Sequence, residues 1–310
     1  MPIPRSQLPE HLSGLLGFPV TPFTADGGLD LERFQSHLTD MLEARPSALF
    51  VACGTGEFAS LTLDEHRRLV EAAVAHVDGA VPVLAGVGGG THMALEFTDS
   101  AARSGADGIL VLPPYLQVGP QAGLVEHYRR IATATELGVV PYQRATAVFT
   151  PESVRELAAL PQVVAFKDGH GDVELLQRIR AATEGRLPLL NGMPTAETAA
   201  GAYAGIGVRS YSSATLAFAP AIARAFHDAF TSGDEQTMDL LLREFYVPLT
   251  GLRHTTHGYA VALVKAGLDI QGRSAGPVRP PLVDASPQHR DELARIIERG
   301  HAAVASAVTA

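Results

Sequence analysis

The sequence predicts an α/β protein, a TIM (β/α)8 barrel with a C-terminal helical appendage, and three features carry the prediction. Eight short apolar runs lie at 14–20, 48–53, 81–86, 108–112, 138–142, 163–167, 187–190 and 207–212. Longer amphipathic segments separate them, and beyond Pro220 the pattern turns wholly helical. Strand–helix alternation of this kind closes into a parallel barrel, with a doubly wound open sheet as the competing arrangement.

Each run is rich in Val, Ile and Leu, does not alternate, and is too short for a helix. Parallel strands covered on both faces have that composition. Helical periodicity follows at 31–44, 63–76, 93–104, 121–135, 151–159, 172–182 and 195–204. Thr150 before Pro151, and Thr62 three residues before Glu65, are helix-start signals, because a hydroxyl satisfies a free backbone N–H and proline needs none. The appendage reads as helices at 219–231, 235–252, 258–266 and 291–306, interrupted by the Gly-, Pro- and Arg-rich loop 272–281. We therefore expect a catalytic barrel over 1–220 and, over 221–310, an appendage packed on it.

The 310 residues are 46% hydrophobic, enough for a large core, and the formal net charge is −9. With no basic run, that balance argues against a nucleic-acid or anionic-membrane surface, though not against a small anionic substrate in a local pocket. One cysteine, Cys53, rules out an internal disulfide and suits a reducing cytoplasm. The first residues lack the apolar core of a signal peptide, and no stretch approaches the roughly 20 apolar residues that span a bilayer. A soluble cytoplasmic protein is expected.

Two lysines stand against twenty-two arginines. Lys167 closes the apolar run Val163-Val164-Ala165-Phe166, where a buried strand should end. Arginine stays protonated, whereas a desolvated lysine can become a neutral amine nucleophile, so Lys167 is a candidate Schiff-base residue. Lys265, in an appendage helix, reads as a surface or salt-bridged side chain.

A barrel places its active site at the carboxyl ends of its strands. Gly54-Thr55-Gly56 ends the second strand and reads either as an anion nest, with converging backbone N–H groups and the Thr55 hydroxyl, or as an ordinary turn. Tyr142 ends the fifth strand beside Lys167 and reads as a proton relay or a rim residue. Arg144 has the fork to hold a carboxylate, or it salt-bridges outside the pocket. Asn191 and Ser212, ending the seventh and eighth strands, either contact substrate hydroxyls or satisfy turn backbone. Glu57 reads as a helix N-terminal charge. The glycine run 86–90 lacks nucleotide-loop spacing, and His254 and His257 lack accompanying carboxylates, so no metal site is expected.

Taken together, several stretches resemble the dihydrodipicolinate synthase/N-acetylneuraminate lyase superfamily. They are Phe18-Pro-Val-Thr-Pro-Phe23, Gly54-Thr-Gly-Glu-Phe58, Leu112-Pro-Pro-Tyr-Leu116, Tyr142-Gln-Arg144, Phe166-Lys-Asp-Gly169, Asn191-Gly192 with Pro194-Thr-Ala-Glu197, and Tyr211-Ser-Ser-Ala214. Gly258-Tyr-Ala-Val261 and the stretch 272–282 extend the similarity, which spans 12–300. The resemblance implies a lyase that forms a Schiff base with a 2-keto acid and uses no metal or organic cofactor. It implies Lys167 as the Schiff-base lysine, Tyr142 as the proton relay with Thr55 as helper, and Gly54, Thr55 and Gly56 as the keto-acid carboxylate loop. It further implies a homo-oligomer, commonly a tetramer.

Three departures steer the resemblance. Gly54 replaces the first of two loop hydroxyl residues of the synthase and lyase branches, Leu116 replaces the synthase's second consecutive tyrosine, and Ala147 replaces its carboxylate-binding arginine. These favour a decarboxylating dehydratase branch acting on a sugar-acid-derived 2-keto acid. Arg144, Asn191 and Ser212 are then the candidates for the far carboxylate and the hydroxyls. The alternatives are a 2-keto acid aldolase or synthase of the same superfamily and a catalytically inactive barrel that binds a sugar acid.

Overall fold

In a computed structural model of the protein, residues 3–308 are described; the first two and last two residues of the expected segments lie outside them. Eight parallel strands close into a barrel in sequence order. They are β1 (Leu15–Gly17), β2 (Ala48–Val51), β3 (Val83–Val87), β4 (Gly108–Val111), β5 (Gly138–Gln143), β6 (Phe166–Asp168), β7 (Leu189–Asn191) and β8 (Ser210–Ser213). Pairing of β1 with β8 completes the ring. A short helix, α1 (Leu8–His11), precedes β1. Between and after the strands run α2 (Leu31–Glu43), α3 (Leu63–Val77), α4 (Thr91–Arg103), α5 (Gln121–Thr133), α6 (Pro151–Ala158), α7 (Val173–Ala182), α8 (Ala200–Gly205) and α9 (Pro220–Ser232).

The helices begin where the capping chemistry places them. Thr62 and Glu65 form a reciprocal capping box at α3. Thr150 accepts from the Ser153 amide ahead of Pro151 in α6, and Asp172 accepts from Leu175 at α7. The strands are shorter than their apolar runs. β8 starts at Ser210 because Gly207, at φ +82°, is still turning the chain out of α8. At the start of the sixth run, Val163 makes only a single bridge, to Val139.

Side chains alternate across the barrel wall, as strand geometry requires. Leu16, Ala48, Phe50, Leu84, Leu110, Val140 and Leu190 belong to one buried cluster, which fills the lumen with Leu8 and Leu12. The intervening residues Leu49, Val51 and Leu15 join a second cluster under the helices, and Ile109, Val111, Val139 and Phe166 a third. Two residues on from Val140, Tyr142 keeps the inward phase, and Lys167 follows the outward Phe166.

Beyond α9, the chain forms α10 (Glu235–Leu241), α11 (Val247–His254), α12 (Tyr259–Ile270) and α13 (Pro287–Val308). The sequence predicts one helix over 235–252, but a π-helical turn, Leu242–Tyr246, separates α10 from α11. Pro248 has no N–H to return to the Glu244 carbonyl, which instead accepts from Arg299 Nε at 3.4 Å. One apolar cluster runs without a break from Leu15 and Phe34 of the barrel to Leu293 and Ile297 of α13. No described helix is long and apolar enough to cross a membrane.

A buried ion pair ties the appendage to the end of β2. Lys265 of α12 lies 2.7 Å from Glu57, with side-chain exposures of 2% and 0%. Its Nζ also donates to the Pro277 carbonyl at 2.8 Å, and the Arg279 amide donates to Glu57 Oε2 at 2.9 Å. Glu57 thus stands at the start of a helical turn, as read from sequence, but its charge is buried in an ion pair. It precedes a 3-10 turn at φ +56° and serves as an anchor between the two parts of the chain. Lys265→Met strands a buried carboxylate and should cost roughly 3–5 kcal/mol in urea denaturation, most of it recovered by Glu57→Gln in the same chain. An unchanged midpoint for Lys265→Met would show that the pair contributes nothing.

Candidate active site

The carboxyl ends of the strands surround a cavity of about 400 Å³. Lys167 sits at its base, 4% exposed, in register with Tyr142 on the neighbouring strand. Its Nζ lies 4.1 Å from the Tyr142 ring centroid and 4.4 Å from that of Phe18. Phe18 is itself stacked on Phe50 at 4.7 Å. The adjacent carboxylate, Asp168, gives Lys167 no counter-charge. It points the other way and accepts from Gln143 Nε2 at 2.7 Å, from the His170 and Gly171 amides, and from the Tyr203 hydroxyl. Burial is the main force on the Lys167 ammonium and lowers its pKa; Tyr142 and Cys53 oppose the shift, and Arg144 adds to it. Burial pushes the Cys53 thiol up to about 12, so it is neutral at pH 7.

Tyr142 is fixed at both sides of its hydroxyl. It donates to the Gly192 carbonyl at 2.8 Å and accepts from Arg144 Nη1 at 3.0 Å. Two glycines make room for this packing. A Cβ on Gly169 would stand 2.7 Å from the Tyr142 hydroxyl, and one on Gly192 would stand 2.8 Å from Lys167 Cγ. Neither glycine needs an unusual φ; each is required by close approach.

Gly54 and Thr55 line the cavity, and Gly56 is buried beside them. The loop's own hydrogen bonds run from the Glu57 amide to Gly54 and from the Phe58 amide to Cys53, which leaves the amides of residues 54–56 out of that pattern. Its far side is held by Thr21, whose hydroxyl donates to the Gly56 carbonyl at 2.6 Å. Arg144 and Ser212 also line the cavity, and Ser212 Oγ donates to the Asn191 carbonyl at 3.2 Å. Asn191 is not brought to the cavity wall. Its amide is engaged within its own turn, donating to Ala196 and accepting from the Met193 amide.

Several lining residues escape sequence reasoning. Phe18 and Tyr115 carried a signal only as members of quoted motifs. Thr195 likewise belonged only to such a stretch, and Arg253 carried no signal as a site residue, because α11 meets the barrel mouth only after the appendage folds over it. Leu249, Val261 and Val264 of the appendage roof the same cavity. Arg253 donates to the Pro194 carbonyl at 2.6 Å and to the Thr195 hydroxyl. Thr195 is held at φ +153°, an uncommon conformation for a non-glycine residue at a site. A larger cleft of about 930 Å³, lined by residues such as Arg5, Pro161 and Arg186, includes none of the strand-end residues described above. Among the described residues, no group of three or more His, Cys, Asp or Glu side chains is placed to hold a metal ion.

The chain is similar to known proteins along nearly its whole length. A Streptomyces coelicolor protein named "Probable 5-dehydro-4-deoxyglucarate dehydratase 1" is 50% identical over 297 residues, 94% of each chain. A protein of that same name from Streptomyces avermitilis is 48% identical over 294 residues, again 94% of each chain. Among solved structures, dihydrodipicolinate synthase from Oceanobacillus iheyensis superposes with a TM-score of 0.89 at 25% identity, covering 96% of this chain and 99% of that one. The synthase from Thermotoga maritima gives 0.84 at 28% identity, covering 93% and 98%. The sequence profile of the dihydrodipicolinate synthetase family matches residues 11–300, so the barrel, its appendage and the strand-end lysine together belong to a member of that family.

Proposed function

We propose that this protein is a lyase that dehydrates and decarboxylates 5-dehydro-4-deoxy-D-glucarate through a Schiff base on Lys167, giving 2,5-dioxopentanoate, carbon dioxide and water. The observation that carries the reading is a dried lysine with no ion-pair partner among the described residues, in register with a hydrogen-bonded tyrosine. The names of the relatives at 48–50% identity support the substrate.

In the proposed sequence the neutral Lys167 amine attacks the keto carbon, and the carbinolamine loses water to give an iminium. Tyr142 moves protons in that step, with Thr55 assisting, and the Tyr142 contacts to Gly192 and Arg144 set its direction. Loss of a proton from the neighbouring methylene gives an enamine, which expels the β-hydroxyl as water. The conjugated iminium then accepts the electron pair of the bond to the far carboxylate, which leaves as carbon dioxide. Reprotonation and hydrolysis release the product and restore the amine. Because the iminium is the electron sink, these steps draw on no other cofactor. The rings of Phe18 and Tyr142 face the nitrogen in its charged forms.

Gly54, Thr55 and Gly56 hold the carboxylate beside the keto group in this reading, and Ser212 serves a hydroxyl. Asn191 acts by holding the Gly192–Thr195 turn instead of by contact with substrate. The barrel over 1–220 supplies the chemistry and 221–310 the roof. The family supports a homo-oligomeric assembly, with a tetramer as the proposed state.

Borohydride reduction of the protein with its substrate, followed by peptide mass mapping, should place the adduct on Lys167; a protein left unmodified would sink the covalent mechanism. Carbon dioxide should be released without pyruvate, and pyruvate formation would favour an aldolase instead. Lys167→Met should abolish turnover yet raise thermal stability at pH 7, because it removes a charge-bearing group from a dry site. The lowered folded pKa fixes the pH trend. The unfolded chain binds the extra proton between the folded pKa and about 10.4, so native stability rises with pH across that window and the variant's advantage shrinks. A constant melting-temperature difference over that range would contradict it.

A further inference from the structure

The cavity wall carries three basic side chains, Lys167, Arg144 and Arg253, and among its described lining residues no acidic one. That imbalance stands out in a chain of net charge −9. The contacts of the two guanidiniums end on uncharged groups: Arg144 on the Tyr142 hydroxyl, and Arg253 on the Pro194 carbonyl, the Thr195 hydroxyl and the His254 imidazole. Burial lowers the Arg253 pKa first, and Arg144 lowers it further, so the two cations feel one another. The buried Glu197 acts on Arg253 as well, but its Oε1 accepts from Ser213 and burial raises it to about 7, which makes it an incomplete counter-ion. Half-buried guanidiniums whose hydrogen bonds end on uncharged groups are complementary to an anion brought by a ligand.

We infer that Arg253, working with Arg144, forms a two-guanidinium subsite for the second carboxylate of the substrate, and that this subsite makes the cavity select dianionic over monoanionic acids. The inference rests on the keto-acid reading of the cavity and deepens it. Arg144 comes from the end of β5, whereas Arg253 is delivered by α11, so substrate choice becomes a property of the appendage as well as of the barrel. The grip has a cost for chemistry. A carboxylate departing as carbon dioxide is losing its charge in the transition state, so the clamp stabilises bound substrate at least as well. Arg253 therefore serves binding, and its removal should raise KM while leaving kcat nearly unchanged.

The test compares glutarate with valerate, five-carbon acids of two and one carboxylates, by titration calorimetry on the native protein, Arg253→Gln and Arg253→Lys. The native protein should prefer glutarate by about tenfold or more, the scale of a charge-assisted contact. Arg253→Gln should remove most of that preference and leave valerate binding unchanged. Arg253→Lys, which keeps the charge without the planar fork, should fall between the two and serves alone if the glutamine variant does not fold. Equal losses for both acids would assign Arg253 a structural role on the 194–195 turn and overturn the inference, as would an unaltered ratio or no preference in the native protein. Neither acid has a keto group that could condense with an amine, so the result is independent of the Schiff base. Failed borohydride trapping with Arg253-dependent glutarate binding sinks the function and keeps the subsite; trapping with an unaltered ratio does the reverse.

Discussion

The site is organised around an ammonium group that is dry and has no carboxylate beside it. Burying a charge without a partner is unfavourable, and the ordinary remedies are a counter-ion or exposure to water. Neither is present at Lys167. The strand alternation that turns Lys167 into the lumen turns Asp168 out of it, where four donors engage its carboxylate. Aromatic rings replace water on two sides, and the thiol of Cys53 stays neutral. The remaining response open to the lysine is a lower pKa, which is the property an amine nucleophile needs.

The chain's other lysine shows the opposite solution to the same problem. Lys265 is as deeply buried, yet it has Glu57 at 2.7 Å and the Pro277 carbonyl, and it lies 4.2 Å from the Phe23 ring. Its partner directly follows Gly56, so the ion pair sets the back of the loop whose front lines the cavity. One lysine is buried against aromatic rings without a carboxylate, and the other is held by an ion pair. Arginine meets the remaining demands for positive charge, including Arg279, which reaches Glu65 and the Gly27 and Ser60 carbonyls.

Much of this was legible before folding, because the signals are local. Eight apolar runs gave eight strands, and Thr62 with Glu65 gave a capping box. Lys167 and Tyr142 could be placed at strand ends because run length and phase depend only on neighbouring residues. Legibility failed where a distant segment intervenes. Asn191 has the right chemistry at a strand end, but its turn consumes both ends of its amide. Glu57 reads only as a helix N-terminal charge until α12 brings Lys265 against it. The π-helical turn at Leu242–Tyr246 follows from Pro248, although periodicity alone shows a continuous helix there.

The sequence by itself determined eight strands alternating with helices and which lysine ends a buried one, since hydrophobic period suffices for those; the pairing of β1 with β8 decided for a closed barrel over an open sheet. Only the tertiary structure decided that Arg253 meets Arg144 across a single cavity, that Asp168 turns away from Lys167, and that the appendage roofs the mouth. Those relations join residues more than a hundred positions apart, or depend on which face of a closed wall a side chain meets. They exist only once the strands have closed and the helices have packed.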